Sequence, residues 1–448
     1  MRTLLPAALL CAILFVPFSA QAQNDDDPFA DDPLFNKPTR DWFSADRITR
    51  AVKQRRDRII RQSGVDDSYH DLTGYSSKPG FAALSAVKPM IRYNRVDGVT
   101  LGLSSDELDW NQRDRFSPFG TLQYSFGREE WLYTLGAERL FGFDRSFKAG
   151  IEFHRITDSD DGYRVGWNET SLTAFLAGYD YMDYYGRQGT SIYSIYNAWD
   201  AAEFTLMYRT DDLYNLERNT RYTMFGHKNT YRDNPAILIG ADTARVSQVV
   251  AGLRLNPRDK MLFPRFSASF DVLAQLGKSI DGLDSDYAYD KLETELRALF
   301  IIDSAAALKI RARAGQIVGN PTQNAFFYLG GPGTVRSMAF KEQSGTAMAL
   351  FNAELLLGEE NNRRGDWLDE MFDLDELQFK VFFDAGWVNT DPIIPQEFGT
   401  GFDSFSVDQL NTSLGVGINL STVRFELAWP TKDLAGTPAL WVRLNPNF

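Results

Sequence analysis

The sequence predicts an all-β fold, a transmembrane antiparallel β-barrel of about sixteen strands preceded by a short extension that carries one helix. Three observations predict it. Residues 1–22 have the make-up of a secretory signal, and no later stretch is apolar enough for a helical span. From Met90 almost to the last residue, apolar and polar side chains alternate with a period of two.

The expected organisation is a signal peptide over 1–22, a periplasmic extension over 23–88 and a barrel over 89–448. The chain opens with Arg2, runs apolar from Leu4 to Phe18 and offers Ala20 and Ala22 at cleavage spacing, so cleavage is expected after Ala22. That run is shorter than the ~20 apolar residues of a spanning helix. The single cysteine, Cys11, lies inside it, preceded by Leu10 rather than a small residue, which argues against lipoprotein processing. A mature chain without thiols has no disulfides, and takes its stability from an ordinary core or a closed ladder of hydrogen bonds.

The extension opens on an acidic run, Asp25 to Asp32, expected to be disordered. From Asp41 to Gln62, residues Trp42, Phe43, Ile48, Ala51, Val52, Ile59 and Ile60 recur at helical intervals among seven Arg and Lys residues, which predicts a basic amphipathic helix near 41–62. Two readings stay open for it. It docks in the barrel mouth or on anionic headgroups, or it is a solvated helix beside a linker.

In the strands, Phe266, Ala268, Phe270, Val272, Ala274 and Leu276 share one face, and Ser267, Ser269, Asp271 and Gln275 the other. Likewise Lys309, Arg311 and Arg313 lie opposite Ala306, Leu308, Ile310, Ala312 and Ala314. A soluble sandwich shows the same alternation, so the number of strands decides. About fifteen segments qualify, near 91–104, 118–127, 131–142, 147–155, 188–197, 200–209, 245–256, 264–276, 289–302, 304–317, 345–357, 377–388, 406–420, 422–430 and 439–448. Single-chain barrels prefer an even count, and a weak strand near Gly162 to Trp167 brings the total to sixteen. The last strand presents Leu440, Val442, Leu444 and the terminal Phe448 on its outward face, like the recognition signal of bacterial outer-membrane proteins.

Composition narrows the function. A net charge of -13 argues against nucleic acid as a partner, and 14% aromatic residues suit the girdles of a membrane barrel. The only histidines, His70, His154 and His227, are scattered, and no Gly-x-Ser-x-Gly elbow occurs. The acidic runs Asp158–Asp161 and Asp281–Asp286 read as wet loops rather than Ca²⁺ sites. No catalytic residue, cofactor, metal or small-molecule substrate is therefore expected.

Four stretches carry a more specific signal. Tyr93–Leu103 reads YNRVDGVTLGL. Leu329–Phe340 reads LGGPGTVRSMAF and falls between the strands numbered eleventh and twelfth; its Gly330, Gly331 and Gly333 permit turns that other residues resist. No Lys-Ser/Thr follows Gly333, so nucleotide binding is not expected. Phe379–Val388 reads FKVFFDAGWV, and alternation places Phe379, Val381, Phe383, Ala385 and Trp387 outside, which leaves Asp384 inside. LNTSLGVGINL carries inward Gly415 and Gly417. An arginine and an aspartate confined to one lumen tend to pair, because a bidentate charge-assisted contact satisfies both where water is restricted.

These stretches resemble the outer-membrane assembly and translocation superfamily of BamA/TamA type, also called the bacterial surface antigen family. The resemblance covers about 92–448. It implies a bacterial outer-membrane barrel whose inward loop, with Val335 and Arg336 at its tip, docks through Arg336 on Asp384 of a Phe-x-Asp-x-Gly strand built from Phe382, Asp384 and Gly386. Glu354 is a further acceptor; the alternative is that each is a solvated lumen charge. The tip departs from the pattern at Ser337 and Met338, where a glycine and an aromatic are usual, so an altered tip is expected. Inward Gly415 and Gly417 would leave room for the loop. The implied function is outer-membrane protein assembly or polypeptide translocation through the seam between first and last strands, with outer-membrane lipids and unfolded outer-membrane or secreted polypeptides as partners. The alternative is a passive or lipid-conducting pore, favoured by an extension too short and polar for the repeated periplasmic domains of the family.

Overall fold

The computed structural model describes residues 88–105, 116–141, 146–198, 201–225, 231–257, 261–302, 306–358, 377–420 and 423–444. The expected signal peptide, the acidic run, the basic helix near 41–62 and Phe448 lie outside the described residues.

Successive strands pair antiparallel in chain order. The first half comprises β1 (Lys88–Asn94), β2 (Gly98–Ser105), β3 (Phe116–Ser125), β4 (Glu130–Phe141), β5 (Phe147–Asp158), β6 (Tyr185–Ala198), β7 (Ala202–Asn215), β8 (Thr243–Leu255) and the short β9 (Met261–Phe263). β10 (Phe266–Leu276), β11 (Tyr289–Ile301) and β12 (Ala306–Gly319) follow. A small hairpin, β13 (Phe327–Leu329) and β14 (Gln343–Gly345), stands apart from the wall. β15 (Ala347–Leu357), β16 (Leu377–Val388), β17 (Asn411–Leu420), β18 (Val423–Pro430) and β19 (Ala439–Leu444) complete the ladder. The wall sheet has 17 strand segments. β8 and β9 both pair with β10, so they share one position and the ladder has sixteen.

The two faces of this sheet invert the pattern of a soluble protein. In β10 every second residue is buried, and those residues are Ser267, Ser269, Asp271, Leu273 and Gln275, while the apolar residues between them face out. Along β12, Lys309, Arg311 and Arg313 are buried. Leu103, Leu135, Phe153, Leu206 and Leu440 are each exposed by half or more. An apolar outside and a polar inside make the solvent of the outer face hydrocarbon, where backbone groups have to be hydrogen-bonded within the protein. Aromatic pairs gather at the terminus end of the wall, with Phe141 against Phe147 at 5.8 Å and Phe266 against Phe300 at 4.7 Å between ring centres. Tyr124 with Trp131, at 5.2 Å, stands at the other end. These are the interfacial girdles of a barrel.

Two elements differ from expectation. The stretch near 91–104 is two strands. Asn94 Oδ1 accepts from the backbone N–H of Val96 at 2.9 Å and of Asp97 at 2.7 Å, and Gly98 takes φ 64°, which turns the chain between β1 and β2. Asp97-Gly98 was the turn signal in the sequence. Conversely, 162–167 is no strand: it is a turn leading into helix α1 (Trp167–Ala177). The two corrections cancel in the count.

The connections 159–184, 216–242, 320–346 and 389–410 leave the end of the ladder opposite Lys88 and Leu444. Two of the long connections fold inward. One carries α1, which ends on Gly178 at φ 77°, whose N–H reaches the Ala174 carbonyl while Tyr179 N–H reaches Thr173. The other carries the β13–β14 hairpin. α1 packs on both β1 and β19, so the two ends of the ladder meet one element and the sheet is wrapped around its lumen.

Candidate functional site

The 320–346 connection enters the lumen because its tip is built to turn. Gly330, Gly331 and Gly333 take φ of 115°, 86° and 74°, a region that side chains with a Cβ rarely adopt. Gly333 is also held by space, since a Cβ there would lie 2.5 Å from the Arg164 carbonyl oxygen. Val335, fully buried, packs in an apolar cluster with Phe327, Leu329, Met348, Leu350 and Val388. Gly386 on β16 makes that seat, for a Cβ would come within 2.6 Å of Leu329 and 2.8 Å of Val335.

Arg336 follows at the tip and is 2% exposed. Its Nε and Nη2 donate to the two carboxylate oxygens of Asp384 at 2.9 and 2.6 Å, and its backbone N–H donates to the same group at 3.1 Å. Nη1 reaches Glu354 on β15 at 2.5 Å and Glu426 on β18 at 3.4 Å. The guanidinium stacks 3.5 Å above the centre of the Phe382 ring. Asp384 is completed by Ser413 Oγ and Asn352 Nδ2, each donating at 2.8 Å. The structure thus brings Val335, Arg336, Glu354, Phe382, Asp384 and Gly386 together, with the three loop glycines behind them.

Sequence reasoning missed half of the charges. Lys380 bonds Glu354 at 3.0 Å and also Glu426, and Arg424 lies 3.8 Å from Glu426 and 4.0 Å from Glu354. Arg336, Lys380 and Arg424 therefore face Asp384, Glu354 and Glu426, with Lys309 of β12 opposite Glu354 in the ladder, all buried. Close opposite charges of this kind are what make ionised groups tolerable away from bulk water. Period-two alternation could have found them, since 380 and 384 share a face and Glu426 occupies an inward position of β18. Gly415 and Gly417 serve this layer rather than the loop itself: a Cβ at Gly415 would strike the Phe382 ring and one at Gly417 would lie 2.8 Å from Lys380 Cε. Trp441 on β19 was missed as well; its Nε1–H donates to the Arg336 carbonyl at 2.7 Å. At the divergent tip positions, Ser337 does not adopt positive φ and Met338 is buried in the Val335 cluster, so neither substitution strains the turn.

The second inward connection buttresses the first. Arg311 on β12 donates to Glu295 and to the Tyr163 carbonyl, each at 3.0 Å, and Arg313 stacks 3.9 Å above the Tyr163 ring. Arg164 bonds the Gly330 carbonyl, and its guanidinium lies 4.7 Å above the Phe340 ring. Lys341 pairs with Asp161 at 2.7 Å and Asp183 at 2.5 Å. Among the described residues no cluster of three His, Cys, Asp or Glu side chains is placed to hold a metal. What the arrangement can do is fix or release a loop.

Residues 134–439 match the Omp85 superfamily domain. Among solved structures, the BamA of Haemophilus ducreyi lacking POTRA domains 1–3 aligns with 13% identity and a TM-score of 0.46, over 88% of this chain and 77% of that one. CdiB from Escherichia coli aligns with 13% identity and a TM-score of 0.41, over 79% and 60%. CdiB from Acinetobacter baumannii does so with 13% identity and a TM-score of 0.39, over 79% and 57%. The chain thus spans less than two thirds of the CdiB proteins it matches. No curated protein sequence matches it. Barrels of the superfamily are outer-membrane proteins, and with its domain spanning most of the wall and an inward loop on the expected strands, this chain belongs to the Omp85 superfamily.

Proposed function

We propose that the barrel is a non-catalytic machine for outer-membrane protein assembly or polypeptide translocation, working at the seam between β1 and β19 and gated by the Arg336 loop. Residues 1–22 act as the export signal, and the long connections face the cell exterior, as longer loops do in such barrels. Its partners are outer-membrane lipids and unfolded polypeptides. The observation that carries this reading is the tip contact. Arg336 is held by three carboxylates on β15, β16 and β18 and hands its carbonyl to Trp441 of β19, so the loop senses the strand beside the seam.

A passive pore is the competing reading, and a lumen occupied by two inward connections weighs against it. Conductance in planar bilayers tests the choice. The wild type should stay mostly closed, and removal of residues 331–342 should produce frequent openings. Large steady openings of the intact protein would establish the pore instead. Crosslinking from β19 in cells would identify the polypeptide or lipid that meets the seam.

A further inference from the structure

Among the described residues no register pairs β1 with β19, although every other neighbouring pair along the wall has one. Helix α1 lies across that join from inside. On the β19 side, Glu169 takes both nitrogens of Arg443, Nε and Nη2, at 3.0 Å each, with both side chains buried. On the β1 side, the Tyr93 ring packs edge-on against Phe175 with centres 5.4 Å apart, and the Arg92 guanidinium lies 5.2 Å above the Trp167 ring. The backbone N–H of Tyr93 donates to Ser171 Oγ at 3.4 Å, so an amide of β1 goes to the helix. The helix is itself fixed at its C-terminal end, where Met224 and Phe225 N–H groups reach the Phe175 and Leu176 carbonyls at 2.8 and 2.9 Å.

We infer that α1 is a latch that holds the β1–β19 seam shut from within, with Glu169–Arg443 as the bolt on one strand and Tyr93–Phe175 as the hinge on the other. This rests on the seam being the working site proposed above. A strand join without a ladder has few contacts of its own, and a buried bidentate carboxylate–guanidinium pair is the strongest single contact the helix could supply there. Glu169 stands in the first turn of α1, where a carboxylate is also favoured by the helix dipole. Opening the seam therefore requires the helix to let go of one strand, which couples the seam to the 159–184 connection and so to whatever displaces it.

The test uses the full chain with Cys11→Ser and nitroxide labels on Ile91→Cys and Val442→Cys, both exposed on the outer face of β1 and β19. Pulsed electron spin resonance then reads the seam distance. Glu169→Gln should raise the population at the longer separation by roughly tenfold, the scale set by loss of one buried charge-assisted pair. Exchange of the pair, Glu169→Arg with Arg443→Glu, should recover part of the narrow distribution. Phe175→Ala, which removes the ring contact with Tyr93 and leaves Glu169 and Arg443 in place, should widen it independently and carries the test if Glu169→Gln does not form a heat-modifiable barrel. Wild-type distances in both single variants would overturn the latch. Cargo assembly or secretion is scored separately: a variant that opens the seam yet leaves both unchanged keeps the latch and removes the proposed function.

Discussion

The two inward connections fill one lumen by different means. The 320–346 loop grips a continuous stretch of wall, for β15, β16, β17 and β18 are hydrogen-bonded neighbours and the tip's ligands come from three of them. The 159–184 segment grips strands that are not paired with each other, β1 and β19. The first arrangement adds rigidity to a wall that would stand without it. The second supplies a join that the wall lacks. Contacts of similar chemistry, an arginine on a carboxylate, thus act as an anchor in one place and as a fastening in the other.

The sharpest way to break this contrast is at Arg336. Arg336→Ala removes the one cation that bonds Asp384, Glu354 and Glu426 together, and breaking a buried ion pair costs ~3–5 kcal/mol, less where water enters. We expect fast protease cutting near Gly333 and more channel opening, with the barrel still assembled. Asp384→Ala should do less, because Arg336 keeps two carboxylates, and the charge-swapped double variant should recover part of the loss. If proteolysis and gating stay as in the wild type, the docked-loop account fails.

Gly333→Ala sharpens the comparison, since this residue touches both regions. Its φ of 74° and the Arg164 carbonyl 2.5 Å from a new Cβ predict a loss of about 1–3 kcal/mol. The expected readout is increased cutting in both connections; an effect confined to 320–346 would show that they move independently. Trp441→Phe removes the donor to the Arg336 carbonyl, about 1 kcal/mol for a single hydrogen bond, and part of the ring that packs against Tyr181. It should raise opening frequency modestly without changing the gel mobility of the folded barrel.

The smallest effect concerns pH. Burial alone would raise the Asp183 carboxyl, but Lys341 and Arg232 override it and hold the group well below the usual carboxylate range. A depressed folded value means that this contribution is complete above the unfolded value of ~3.9 and is lost only as pH falls further toward the folded one. The clamp between the two connections should therefore show equal hydrogen-exchange protection at pH 8 and pH 5 and loosen in stronger acid. A midpoint near pH 6 would assign the clamp to another group.

The wall was readable because its rule is local. A polar residue at every second position of β10 and β12 fixes which side faces the lumen whatever the neighbours are, and the same rule put Asp384 and Glu354 inside. Where reading failed, the deciding partner was remote in sequence. The alternation across 91–104 runs through the turn at Arg95–Asp97 although Asp-Gly marks it; its Arg95 is fully buried against Asp180 and Asp183, some 85 residues on. Helix α1 was missed because WNETSLTAFLA gathers no apolar face, and three of its four buried residues, Glu169, Thr170 and Thr173, are polar.

By itself, then, the sequence determined the membrane-facing alternation, the sixteen-strand scale and the inward side of Asp384, because pleat geometry and turn chemistry are set by adjacent residues; that the Arg336 loop docks there was implied by the family resemblance. Only the tertiary structure decided which charges complete the Arg336 layer and that Glu169 crosses to Arg443, 274 positions away. Wrapping the ladder brings its two ends to one helix, and no local periodicity encodes which strands meet when a sheet closes on itself.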